Sequence, residues 1–241
     1  MKMLTTDNDS SKFSRQATQD VEEFDWKTLD DNTKIDWDRF LIALGDITSL
    51  KHGGLARLPP EFRSGCLLHD AIKLDAPDDI LRFISERFPE TLREEDENGQ
   101  LPTHVACSSG SSPEFISHCT SMFPKSAAAK DNEGKTPIHH LCQSYGSSKR
   151  TMSNAKLVRM EQILWILFRR APASIVAEDC KGANVIEYAL EANLGMSFVS
   201  VLQDMISRYH KNEARKAAQR RCMKTRRQLD SAHSPHAAFA A

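Results

Sequence analysis

Four stretches of the chain carry apolar residues at alternating steps of three and four. They are Ile80, Leu81, Ile84 and Phe88; Ile116, Cys119, Met122 and Phe123; Ile163, Leu164, Leu167 and Phe168; and Phe198, Val199, Leu202 and Met205. This spacing gathers each set on one face of a helix. The first three run into Phe88-Pro89, Phe123-Pro124 and Ala171-Pro172, and the residue before a proline is pushed out of the helical region, so each helix is expected to stop there. A shorter helix-opening phrase precedes every stretch: Gly65-Cys-Leu-Leu-His69-Asp-Ala71, Gly99-Gln-Leu-Pro-Thr-His104-Val-Ala-Cys107, Gly134-Lys-Thr-Pro-Ile-His139-His-Leu-Cys142 and Gly182-Ala-Asn-Val-Ile-Glu187-Tyr-Ala-Leu190. The pattern therefore predicts an all-α chain of paired helices.

The pairs recur in register. His69, His104 and His139 are 35 residues apart, and Phe88/Phe123, Pro89/Pro124 and Asp96/Asp131 keep that step. Gly134 to Gly182, Pro124 to Pro172 and Asp131 to Asp179 are 48 apart, 13 more, which locates an insertion in the third copy around Ser144 to Val158. One catalytic pocket has no reason to generate such a period. A stacked supersecondary unit has one, because each unit carries an apolar face that only its neighbour can cover. The expected units are 62–95, 96–130, 131–178 and 179–205.

The third copy, Asp131-x-x-Gly134-x-Thr136-Pro137-Ile138-His139, resembles the opening signature of the ankyrin repeat, and the period is close to that family's. The resemblance implies an ankyrin-type helical repeat solenoid of about four repeats, a structural role for the signature histidine between adjacent turns, and partner binding on turn tips and first helices. Carried over by position, that surface comprises Glu97, Asn98, Gln100, Ser108 and Ser109; Asn132, Glu133, Lys135, Gln143 and Ser144; and Cys180, Lys181, Ala183, Glu191 and Ala192. It is polar, with no aromatic anchor to name a ligand.

The phrase also has a local logic. Thr136 is expected to cap its helix by accepting from backbone N–H groups, with Pro137 at the first helical position where no donor is needed. In the fourth copy Asn184 and Glu187 read as a near capping box. Leu101 and Cys66 stand at the cap of the second and first copies, so those helices are expected to start less firmly, by roughly 1 kcal/mol.

Composition adds little: 40% of the 241 residues are hydrophobic and 27% charged, both ordinary for a globular chain. No apolar run approaches the roughly 20 residues that cross a bilayer, and the N-terminus lacks the apolar core of a secretory signal, so a cytoplasmic or nuclear location and no membrane contact are expected. Among the six cysteines Cys107 and Cys142 sit one repeat apart at an inward position, and there is no C-x-x-C. With His104 and His139 they could be gathered as a zinc set, but the repeat register already accounts for all four. The expectation is buried thiols, no metal and no cofactor. His140 departs from the repeat and reads as tolerated or partly exposed. No nucleophile elbow, phosphate loop or paired-carboxylate arrangement appears, so no enzymatic activity is expected.

Charge changes the picture at the ends. Eight acids against Lys27 and Lys34 lie between Asp20 and Asp38, and nine bases against Glu213 lie between Arg208 and Arg227, although the formal net charge is only −1. Residues 1–19 are expected to be disordered and 20–61 to form an acidic segment with a helical cap at Ile35–Leu44, joined to the repeats by a loop through Gly53-Gly54 and Pro59-Pro60. Residues 206–230 are expected to form a basic helix carrying Arg215, Lys216, Arg220, Arg221, Lys224, Arg226 and Arg227, with a loose tail at 231–241. The inserted segment reads as an exposed loop, with Thr151 or Ser153 after Lys149-Arg150 as chance-level phosphorylation matches. The functional expectation is a non-enzymatic scaffold or adaptor that binds another protein. The alternatives are a nuclear regulator whose basic helix, 208–227, contacts nucleic acid or an import receptor, and a regulatory subunit that presents substrates to an enzyme.

Overall fold

The computed structural model describes residues 35–45, 58, 60–62, 65–146 and 153–232. These residues are all-helical, with no strand among them and a single isolated antiparallel bridge between Glu178 and Asn184. The expectations for 1–34, for the loop through Gly53-Gly54 and Pro59, for Thr151 and for 233–241 lie outside the described residues.

The helices are α1 (Trp37–Gly45), α2 (Leu67–Lys73), α3 (Asp78–Arg87), α4 (Pro102–Ser109), α5 (Pro113–Met122), α6 (Pro137–Gly146), α7 (Asn154–Arg170), α8 (Val185–Glu191) and α9 (Met196–Ala232). Helices α2, α4, α6 and α8 pack in one row and α3, α5, α7 and α9 in a second. One continuous core runs between the rows and includes Ile72, Ile84, Phe115, Leu141, Leu164 and Phe198. Met122, assigned to the inward stripe of α5, is instead 44% exposed. It shares its repeat position with Arg87 and Arg170, at the solvent edge of the last turn.

The second helices end where the prolines require. Phe88, Phe123 and Ala171 have φ of −129°, −133° and −138°, and each is followed by a short 3-10 turn, Pro89–Arg93, Pro124–Ala128 and Pro172–Val176. Three of the four first helices, α2, α4 and α8, end alike: Asp75, Gly110 and Asn193 all take φ between 53° and 74°. Aspartate and asparagine tolerate that region better than other side chains.

At the N-terminal end α1 covers the first pair. Phe40 and Phe62 lie 4.5 Å apart between ring centroids, Trp37 meets both edge-on, and Leu44 and Leu58 are fully buried beside them. At the other end, the boundary expected near residue 205 is absent. Helix α9 is one unbroken helix of 37 residues that forms the last inward face and then continues, so 231 and 232 are helical as well.

The insertion also differs from the loop expected at 144–158. Helix α7 begins at Asn154 and has 17 residues where α5 has 10, and α6 has 10 where α4 has 8. Most of the extra chain is absorbed as helix. Ser153 is the N-cap of α7, its hydroxyl accepting from the Lys156 N–H at 3.4 Å.

Candidate protein-interaction surface

Three turns built to one plan cross the edge of the first-helix row. Asp96 Oδ1 accepts from the N–H groups of Asn98 and Gln100 at 2.9 Å each. Asp131 Oδ1 accepts from Glu133 and Lys135, and Asp179 Oδ1 from Lys181 and Ala183, at 2.8 to 3.0 Å. Gly99, Gly134 and Gly182 close these turns at φ of 71°, 78° and 80°, the left-handed region that a side chain resists. The turns are linked to one another: Asn132 N donates to Asn98 O at 3.0 Å and Cys180 N to Glu133 O at 2.8 Å. At Gly134 the approach is tight, since a Cβ there would stand 2.9 Å from Cys180 N.

The signature imidazoles tie the turns to the helices. His104 Nδ1 accepts from Leu101 N at 3.0 Å and His139 Nδ1 from Thr136 N at 3.1 Å, while Glu187 Oε2 accepts from Asn184 N at 3.1 Å. Three different helix starts thus share one device, in which the third residue accepts from the cap N–H. Leu101 contributes no side-chain bond of its own, and the ring satisfies the Leu101 N–H alone. Thr136 is a correction: its hydroxyl pairs with the His139 ring at 2.9 Å rather than with the backbone of the next turn. Because Nδ1 accepts, Nε2 carries the proton. It reaches the Ala129 carbonyl from His104 at 3.1 Å, near the end of the same unit, and the His69 Nε2 meets the Gln100 carbonyl, in the following unit, at 2.7 Å. Burial pushes the pKa of all three imidazoles down, His104 and His139 to about 4, so they are neutral at pH 7.

Exposure sorts the expected surface. Glu97, Asn98, Ser108, Ser109, Asn132, Glu133, Gln143, Cys180, Lys181 and Glu191 are exposed, and Gln100, Ser144, Ala183 and Ala192 are half-buried. Lys135 does not belong with them. It is only 8% exposed, its Nζ paired with Glu133, 3.3 Å from Gln143 Oε1 and 5.5 Å from the centre of the Tyr188 ring. The lysine folds along the turn and braces it, because a neighbouring carboxylate and an aromatic face both lie within its reach.

His140 is likewise corrected, being 7% exposed, with its Nε2 2.8 Å from Asp131 Oδ2 and its ring edge-on to His104. Burial by itself would raise the Asp131 carboxyl, but the bonds from His140 and from the Lys135 and Glu133 amides outweigh it and hold it below the ordinary carboxylate range. One unit on, the Tyr188 hydroxyl donates to Asp179 Oδ2 at 2.7 Å. His140 and Tyr188 are 48 residues apart, the same step as Asp131 to Asp179, so the signal for this pairing was present in the spacing. Both residues anchor the second oxygen of the turn aspartate.

Cys107, Cys119 and Cys142 are fully buried thiols whose pKa burial drives upward. Among the described residues no three His, Cys, Asp or Glu side chains are grouped to hold a metal ion, and no helix is long and apolar enough to cross a membrane. Of the basic helix, Arg215, Lys216, Arg220, Arg221, Lys224, Arg226 and Arg227 are all exposed on α9. No family model and no curated protein matches the chain.

Proposed function

We propose that the chain is an ankyrin-type repeat protein that holds another protein on its turn tips and the outward face of its first helices, and that it works by binding rather than by chemistry. The observation that carries this reading is the row of identical turns. Each is built on its own aspartate and glycine and hydrogen-bonded to the next, so that Glu97, Asn98, Asn132, Glu133 and Lys181 stand side by side on a surface that needs no ordering before it meets a partner. Preorganisation of this kind lowers the entropy cost of association. The tips carry both signs, Glu97 and Glu133 against Lys181 and the Lys135 that pairs with Glu133, which favours a partner that also presents both.

The reading is tested by affinity capture from a cell extract with the intact chain, a tip variant (Glu97→Arg with Glu133→Arg) and a back-face variant (Glu86→Arg with Arg169→Glu). Glu86 and Arg169 are exposed on α3 and α7. A partner retained by the back-face variant and lost from the tip variant is the expected result. A partner that survives the tip substitutions, or is lost equally from both, would place the interface elsewhere.

A further inference from the structure

Helix α9 leaves the packed body after Tyr209. Its last inward residues are Met205, fully buried, and Ile206 and Tyr209, partly buried. From His210 to Gln228 every residue is exposed except the half-buried Glu213. A helix continuing from Tyr209 to Ala232 projects by roughly 35 Å at 1.5 Å per residue. Its interior repeats like charges at helical contact spacing, Lys211 with Arg215, Lys216 with Arg220 and Arg220 with Lys224, and among the described residues of the arm only Lys216–Glu213 forms an ion pair. Such pairs at i,i+4 destabilise a helix, so a polyanion would relieve a tension the free arm carries.

Six of the arm's eight bases are ordered in two rows around the helix, with Arg221 and Lys224 outside them. At about 100° per residue, Lys211, Arg215 and Arg226 fall in one row, and Lys216, Arg220 and Arg227 in another roughly 120° away. The face between the rows holds Asn212, Gln219 and Met223. Two cationic rows flanking an amide-bearing strip match a groove with a phosphate strand on each side and base edges at its floor. The B-form major groove, about 12 Å wide, admits a helix, and Asn and Gln are the side chains that pair bidentately with adenine there. The deep, narrow major groove of A-form RNA does not admit one. We propose that residues 211–227 of α9 lie in the major groove of duplex DNA, the two basic rows on opposite backbones and Asn212 and Gln219 toward the bases. This role is independent of the turn-tip surface, and the length of the arm keeps the helix pairs clear of the duplex.

The test uses the full chain and fluorescence anisotropy with three duplexes of about 20 base pairs: DNA containing A·T pairs, DNA of G·C pairs only, and RNA of the first sequence, at 50 to 200 mM salt. DNA is expected to bind at least tenfold tighter than RNA. The logarithm of the affinity is expected to fall with log salt at a slope near about −5, as for six phosphate contacts. Lys216→Gln with Arg220→Gln, and separately Arg215→Gln with Arg226→Gln, each flatten that slope by about 2. Asn212→Ala with Gln219→Ala keeps the slope and removes the preference for the A·T-containing duplex. These positions are exposed and Gln and Ala are good helix formers, so the melting temperature is expected to stay unchanged. RNA binding as tight as DNA, polyglutamate competing as well as unlabelled DNA, or a slope untouched by either row would overturn the proposal, the second outcome pointing to an acidic protein segment instead.

Discussion

A neutral imidazole buried at the third position of a helix closes the cap by accepting at Nδ1, and that bond requires the nitrogen to stay unprotonated. His104 and His139 are held near pKa 4 against an ordinary value of about 6.5. Between those values the unfolded chain binds more protons than the folded one, so stability is full above pH 6.5 and is lost as pH falls through the folded pKa. Each ring accounts for up to about 3 kcal/mol of that loss. Asp131 and Asp179 titrate below this window, their pKa values being lowered, and do not obscure it. Urea midpoints are expected to be level from pH 8 to 7 and to drop steadily from pH 6.5 to 4; a level profile down to pH 4.5 would mean the rings are not neutral and buried.

The glycines separate two kinds of strain. Gly134 and Gly182 have nearly the same positive φ, so an alanine at either carries the left-handed penalty of roughly 1 kcal/mol. Only at Gly134 would the new methyl also push into Cys180 N and break the bond to Glu133. Gly134→Ala is therefore expected to lower the denaturation midpoint at least twice as much as Gly182→Ala. Equal losses would show that the turns are not linked as described. The glycine positions could be read from the sequence, whereas the clash could not, since it depends on a neighbour 46 residues away that only stacking brings close.

Among the elements, helix ends were the most legible feature and the insertion the least. Phe88-Pro89, Phe123-Pro124 and Ala171-Pro172 stop their helices because the restriction is covalent and local. The length of the insertion followed from arithmetic, but its conformation did not: between Ser153 and Arg159 only Leu157 is even half-buried, so the inward stripe by which the rest of α7 announces itself thins to one residue. What fixes it as helix is propagation outward from the packed turns beyond Met160 and the cap at Ser153. Ser153→Ala is thus expected to speed amide hydrogen exchange in 154–159 while leaving 163–168 protected, with a global loss under about 1 kcal/mol. Exchange that rises equally along α7 would argue against an independently fraying end. Lys135 and His140 were misread from the sequence for a related reason. Both look like surface residues by type, and only the turn geometry, with Glu133, Tyr188 and Asp131 in reach, turns them inward.

Across the whole molecule, contacts run from each helix pair to the next, so a lesion at one end stays there. Phe40 of α1 is fully buried against Phe62 and Trp37. Phe40→Ala is expected to cost about 3 to 5 kcal/mol locally, seen as faster exchange in α2 and α3 with α6 to α9 little changed. Uniform acceleration along the chain would indicate one cooperative unit instead.

The row of helix pairs also has a direction. His69 extends Nε2 forward to the Gln100 carbonyl of the following unit, whereas Glu187, in the same place in the last unit, uses its carboxylate on its own cap. The turns show a direction of their own, Asn132 N donating back to Asn98 O and Cys180 N back to Glu133 O. In the turn at Asp179 the matching place is held by Lys181, whose carbonyl is the acceptor that a further turn would meet. The series thus ends on an acceptor rather than a donor, so its last edge is a socket, and a segment that extended the ladder would have to arrive with a backbone N–H.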